Sequence, residues 1–292
     1  MWLPNFLIIG APKAATTSLY HYLEQHPQVY LSAIKEPHFF SYGEMDLRGR
    51  LVRMPRRMVL SASGYEKLFA RVREETAVGE ASTSYLESRR AAERIATRLP
   101  GARLIAVLRQ PAERAHSQYL MNRQRLFERA PTFEAALENE RDAIARNVYP
   151  YINYRNTGFY HQHLSYYYEL FPETQVQVLL HEDLNDRPIE TMKAVFRFLN
   201  IDDTSVPDTS MRHNISGVPR NLAVAALLKT TFPVLGYLER SLPPRLISRI
   251  GNILLKAPSI NPDTRARLTA DFREDIGKLQ DLIGRDLSHW LR

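Results

Sequence analysis

A chain of 292 residues, 44% hydrophobic and 24% charged, is long enough to bury a sizeable core and too ordinary in composition to be disordered or fibrous. The absence of cysteine excludes disulfides, thiolate catalysis and cysteine-based zinc sites, and a net charge of +7 favours an anionic partner without choosing among nucleotides, nucleic acids, acidic glycans and membrane surfaces. There is no run of 18 apolar residues and no basic-then-apolar leader, so the expectation is a cytoplasmic protein without a transmembrane helix.

The chain opens on Phe6-Leu7-Ile8-Ile9-Gly10, an apolar run that reads as a buried strand, followed by a tight loop and a helix predicted over Thr17 to Gln25. A helix N-terminus has first-turn N–H groups without internal partners and the positive end of its dipole, so this junction is an anion site. Lys13 adds a full charge, and Thr16, Thr17 and Ser18 add hydroxyls, so the stretch from Lys13 to Ser18, with Ala14 and Ala15 inside it, reads as a phosphate cradle. Neither G-x-x-x-x-G-K-[ST] nor G-x-G-x-x-G is present.

Val29-Tyr30-Leu31 reads as a short strand, and Lys35-Glu36-Pro37-His38-Phe39-Phe40 places a carboxylate, an ammonium and an imidazole in one loop beyond its end. Residues 43 to 60 carry Arg48, Arg50, Arg53, Arg56 and Arg57, which read as a solvated charge run, a mobile flap or a contact for an acidic substrate. A helix is predicted over Tyr65 to Arg73, a strand over Ala77 to Glu80 with Ser82-Thr83-Ser84-Tyr85 at its end, and a helix over Arg89 to Leu99. The clearest strand, Arg103 to Leu108, ends in Arg109, where a nucleotide-hydrolysing enzyme would carry an acidic metal ligand. Pro111 then opens a helix with Arg114, Ser117 and Met121 on one face. Arg109 and Ser117 read as a second anion site. Two phosphate sites without a visible carboxylate pair for Mg²⁺ point to metal-free handling of a nucleotide.

Further on, helices are predicted over Thr132 to Arg146, His161 to Phe171 and Thr191 to Leu199, with a strand at Val176 to Leu180 closed by Glu182-Asp183-Leu184. The tyrosines between 149 and 168 read mostly as packing. Alternating strands and helices mean a parallel sheet covered on both faces. The expected fold is therefore α/β, a P-loop-like three-layer sandwich with a central parallel sheet flanked by helices and a helical C-terminal extension. Residues 221 to 256 are apolar and basic, suiting a helical subdomain or peripheral membrane contact. Pro262 to Arg292 reads as an amphipathic helix. With no repeat and no linker, residues 1 to 292 are expected to form one domain, helical over 221 to 292.

Taken together, the chain resembles the sulfotransferases that use 3′-phosphoadenosine 5′-phosphosulfate (PAPS), most of all the heparan-sulfate-type branch and its bacterial relatives. The resemblance is carried by Gly10 to Ser18, Lys35 to Phe40, Arg109 through Ser117 and Tyr119, Gly158-Phe159-Tyr160, Glu182-Asp183-Leu184, Ser216-Gly217-Val218-Pro219-Arg220 and the tail Leu282 to Leu291. It implies that the first loop holds the 5′-phosphosulfate and that Arg109 and Ser117 hold the 3′-phosphate. It implies that Ser216, Gly217, Val218, Pro219 and Arg220 close over the nucleotide, and that Glu36 is the general base. On this reading Lys13 neutralises charge on the leaving phosphate, His38 orients Glu36 or the acceptor or is structural, the product is adenosine 3′,5′-bisphosphate, and neither metal nor nucleic acid takes part. The chain departs from the heparan pattern at Ala81, where a Lys often follows the strand Glu, and at Ser216, where a Lys-Gly is usual. The acceptor hydroxyl or amine, on a sugar, lipid or small metabolite, and the oligomeric state stay open. The rival readings are a Mg-ATP-dependent P-loop kinase and a non-catalytic polyanion-binding protein.

Overall fold

The computed structural model describes residues 3–44, 58–125, 127–145, 153–210, 218–219, 255–256 and 258–292. Its centre is a five-stranded parallel sheet of β1 (Phe6–Gly10), β2 (Val29–Leu31), β3 (Ala77–Ala81), β4 (Arg103–Leu108) and β5 (Val176–Leu180), in the order β2-β3-β1-β4-β5. Every residue of β1 and β3, and of β4 beyond Arg103, is buried, which requires cover on both faces.

Among the described residues the helices are α1 (Thr16–Glu24), α2 (Phe39–Tyr42), α3 (Ala62–Lys67), α4 (Arg89–Arg98), α5 (Pro111–Gln124), α6 (Phe133–Ala145), α7 (Tyr160–Tyr168), α8 (His181–Asp186), α9 (Pro188–Leu199) and α10 (Pro262–Ile283). The step from β1 to β2 runs one way across the sheet and the step from β3 to β4 the other. Right-handed crossovers therefore put α1 and α4 on opposite faces. The reversal falls at β1, and the crevice at the carboxyl ends of its neighbours is where an open α/β sheet binds ligands.

Several boundaries differ from the sequence expectation, each for a local reason. The third helix covers Ala62–Lys67 rather than Tyr65 to Arg73, because the Ser61 hydroxyl caps it by accepting the Gly64 N–H at 3.1 Å. The helix expected from Thr191 begins at Pro188, a residue suited to a first turn. The terminal helix stops at Ile283 because Gly284 adopts φ 60°, and a short 3₁₀ turn, Ser288–Leu291, follows. α10 packs on α7 and α5, so this part of the C-terminal extension is built against the sheet layers.

Val218–Pro219 pairs antiparallel with Leu255–Lys256 as β6 and β7. Ser216, Gly217, Arg220, the arginines from 48 to 57 and most of the 221–256 segment lie outside the described residues. Among the described residues no helix is long and apolar enough to cross a membrane.

Candidate active site

The loops following all five strands open onto one cleft of about 530 Å³. The first loop leaves β1 at Gly10, where a Cβ would stand 2.7 Å from Leu86 Cβ. Gly10→Ala is therefore expected to lower stability by about 1–3 kcal/mol, read as a lower melting temperature. Lys13 and Ala15 sit in the left-handed region at φ 69° and 73°, a conformation that costs a non-glycine residue and that clusters at functional sites. Ala15 is also the N-cap of α1 and has no side chain to cap it. Lys13, Thr16, Thr17 and Ser18 line the cleft. Burial, with Arg125 and Arg109 nearby, lowers the Lys13 ammonium from 10.5 to about 8, against a smaller opposing pull from Glu36.

Opposite lies the loop after β2. It is tied to the sheet by the Glu36 N–H donating to Ala81 O at 2.8 Å. Glu36 and His38 are again left-handed, at φ 61° and 55°. The Thr83 hydroxyl donates to Glu36 Oε1 at 3.0 Å, Lys35 Nζ stands 3.7 Å from the same oxygen, and His38 Nε2 stands 3.9 Å from Oε2. Burial pushes the Glu36 carboxyl up, but Lys35, His38 and the Thr83 hydroxyl together hold it below the ordinary carboxylate range. Burial lowers His38, whose Nδ1 is 2.8 Å from Ser84 Oγ, so its ring is mainly neutral at pH 7.

Arg109 follows β4, and its backbone is fixed from two sides. Tyr160 donates its hydroxyl to Arg109 O at 2.9 Å, and Gln110 Nε2 donates to Trp290 O and Thr269 Oγ1, each at 3.2 Å. This places two of the quoted motifs: the Gly158-Phe159-Tyr160 segment and the tail brace the Arg109 elbow. Gly158 is needed there because a Cβ would lie 2.7 Å from the Phe272 ring. Arg109 Nη1 reaches Lys13 O at 3.5 Å, so the two expected anion sites share a wall.

One face of α5 forms the floor: Arg114, Ser117, Gln118 and Met121 all line the cleft, with Arg125 just beyond the helix. Arg114 is fully buried and donates from Nη2 to Tyr154 O. Its Nε and Nη1, like Gln118 Oε1 and Asn153 Oδ1, have no partner among the described residues. Glu87 accepts from Asn153 Nδ2 at 3.1 Å and from Thr157 Oγ1 at 2.6 Å beside them. Sequence reasoning did not find Arg125, Glu87, Gln118 or Asn153. Arg125 continues the Arg114-Ser117-Met121 helical face, so extending that spacing one turn would have reached it.

Among the expected site residues, Lys13, Ala15, Thr16, Thr17, Ser18, Glu36, His38, Arg109 and Ser117 line the cleft. Ala14 is buried behind the loop, in the core. The comparisons with known proteins agree on what this framework is. The model of the sulfotransferase domain matches residues 3–229. Human carbohydrate sulfotransferase 15 is 30% identical over 246 residues, covering 68% of this chain and 44% of its own length. Human bifunctional heparan sulfate N-deacetylase/N-sulfotransferase 3 is 26% identical over 310 residues, covering 99% of this chain and 31% of its own. The chain thus spans less than half the length of these curated relatives. The crystal structure of a sulfotransferase from Alicyclobacillus acidocaldarius matches with a TM-score of 0.78 and 31% identity over 100% of both chains. The chain belongs to the sulfotransferase family.

Proposed function

We propose that this enzyme moves a sulfuryl group from PAPS to a hydroxyl or amine of an acceptor, with Glu36 as general base and with Lys13 and Arg109 holding the two ends of the donor's phosphates. The supporting observation is that Lys13, Arg109 and Glu36 face one cleft in which cations outnumber carboxylates, and that burial, with the nearby Arg125 and Arg109 adding to it, pushes Lys13 down to about 8. Such a site calls for an anionic ligand. The donor set fits a bisphosphorylated nucleotide: an uncapped helix N-terminus beside Lys13, and Arg109 with Ser117 across the same wall. Membership in the sulfotransferase family sets aside the phosphotransferase and the non-catalytic binder.

PAPS supplies the sulfuryl group. The sulfur–oxygen bond to its phosphate breaks, a bond from sulfur to the acceptor oxygen or nitrogen forms, and the acceptor proton passes to the Glu36 carboxylate. By analogy with phosphoryl transfer, positioning and charge stabilisation carry most of such a loose, in-line transfer. Lys13 donates toward the oxygen on which charge grows. The Thr83 hydroxyl and Lys35 aim the Glu36 carboxylate and keep it ionised. The relatives are named for carbohydrate and heparan sulfate substrates, so a glycan is the first acceptor class to assay, ahead of lipids and small metabolites.

Adenosine 3′,5′-bisphosphate should raise the melting temperature and Mg-ATP should not. Arg109→Ala should weaken the bisphosphate by about 10–100-fold in calorimetry, the size of a lost charge-assisted contact. Equal protection by Mg-ATP, or unchanged affinity in Arg109→Ala, would sink the nucleotide assignment.

A further inference from the structure

Glu80 lies at the carboxyl end of β3, fully buried, and none of the steps above uses it. Three hydroxyls converge on its carboxylate. Tyr65 and Tyr85 donate to Oε1 at 3.2 and 2.6 Å, and Ser82 donates to Oε2 at 2.9 Å. Two of these oxygens pass the connection on. Ser82 Oγ accepts the His38 N–H at 3.0 Å, and the Tyr85 hydroxyl accepts the Phe40 N–H at 3.3 Å. The third group, Tyr65, stacks its ring on Phe39 with centroids 4.4 Å apart and planes 16° from parallel. One carboxylate therefore reaches residues 38, 39 and 40 in succession, the segment that follows Glu36.

The direction of these bonds depends on charge. An ionised carboxylate is acceptor-only, and a hydroxyl has a single proton. Once Ser82 and Tyr85 spend theirs on Glu80, their lone pairs are left for the backbone N–H groups. That backbone needs holding, because Glu36 and His38 are both in the left-handed region. We propose that Glu80 is a positioning residue for the transfer: its carboxylate orients Ser82 and Tyr85 as relays that pin residues 38–40 and thereby fix Glu36 in the cleft. This rests on the reading of Glu36 as the base. Burial pushes the Glu80 carboxyl up to about 7 against the pull of the Tyr85, Ser82 and Tyr65 hydroxyls, with the Glu36 charge adding to the rise. On protonation Glu80 must donate a hydrogen bond itself, and one relay reverses.

The test is amide hydrogen exchange by NMR in the full chain, which needs no acceptor. In Glu80→Gln the His38 and Phe40 amides should exchange at least about tenfold faster, with Leu104 to Leu108 unchanged. In Ser82→Ala the His38 amide alone should do so. In wild type, exchange corrected for its intrinsic pH dependence should speed up at the one of these two amides whose relay reverses as pH falls through 7, and in Glu80→Gln it should not. Sulfate release from labelled PAPS should show a lower kcat with an unchanged KM for PAPS in both variants. Wild-type protection at His38 and Phe40 in Glu80→Gln would overturn the proposal. If that variant does not fold, wild-type protection of His38 in Ser82→Ala overturns it instead. Normal turnover in Glu36→Gln, with loosened amides in Glu80→Gln, would remove the base assignment and leave the anchor standing.

Discussion

Glu36→Gln is expected to lower sulfuryl transfer by about 10²–10⁴-fold, the usual worth of a general base, while leaving affinity for adenosine 3′,5′-bisphosphate within about twofold. The substitution is nearly isosteric, and its amide oxygen can still accept the Thr83 hydroxyl that now lies 3.0 Å from Oε1. What it removes is the capacity to take a proton. His38 is the nearest alternative base, with Nε2 only 3.9 Å from Glu36 Oε2. Exposure separates the two: the Glu36 side chain is 38% accessible and that of His38 is 8%. The pH profile separates them too. A carboxylate held below its ordinary range gives an acid limb below 4.5, and that limb should persist in His38→Ala and vanish in Glu36→Gln. Labelled-sulfate transfer by Glu36→Gln and His38→Ala across pH reads both. Full turnover in a Glu36→Gln protein that binds the bisphosphate would end the base assignment.

What the sequence discloses follows from how local its causes are. Phe6–Gly10, Arg103–Leu108 and Val176–Leu180 were legible to the residue because each is dominated by apolar residues, with only Arg103 and Gln177 as charged or polar exceptions, in a parallel sheet. Phe39–Tyr42 and His181–Asp186 were not legible as helices, being too short to show a full amphipathic period. Lys13, Glu36 and Arg109 could be picked out because each lies in the loop just after a strand, and a parallel sheet gathers those strand ends. Glu87, Asn153 and Thr157 meet across sequence separations of 66 and 70, a pairing no local pattern encodes. Glu80 read as one more strand residue, since its partners Tyr65 and Tyr85 come from separate elements.

Lys13 should show the second large effect, and pH exposes its cause. Replacing it with Met should cost about 10²–10³-fold in turnover, as for loss of one electrostatic donor to a developing anion. Wild-type kcat/KM for PAPS should decline above about 8, where the ammonium of the free enzyme loses its proton. The kcat limb should sit higher, because bound phosphates restore the charge. Lys13→Arg should be slower but lack that limb, since a guanidinium stays charged. Stability should move in the opposite sense to activity. A lysine whose folded pKa lies below its unfolded value binds fewer protons when folded, so its contribution becomes less unfavourable as pH rises from about 8 toward 10.5. At neutral pH the charged side chain therefore costs up to about 3 kcal/mol, taking 1.36 kcal/mol for each unit of that displacement. Lys13→Met should thus melt above wild type without ligand and lose most of the increment that adenosine 3′,5′-bisphosphate gives wild type. A ligand-free melting temperature below wild type would show that Lys13 is held by partners rather than held ready for an anion, and an undiminished increment would take it out of the phosphate site.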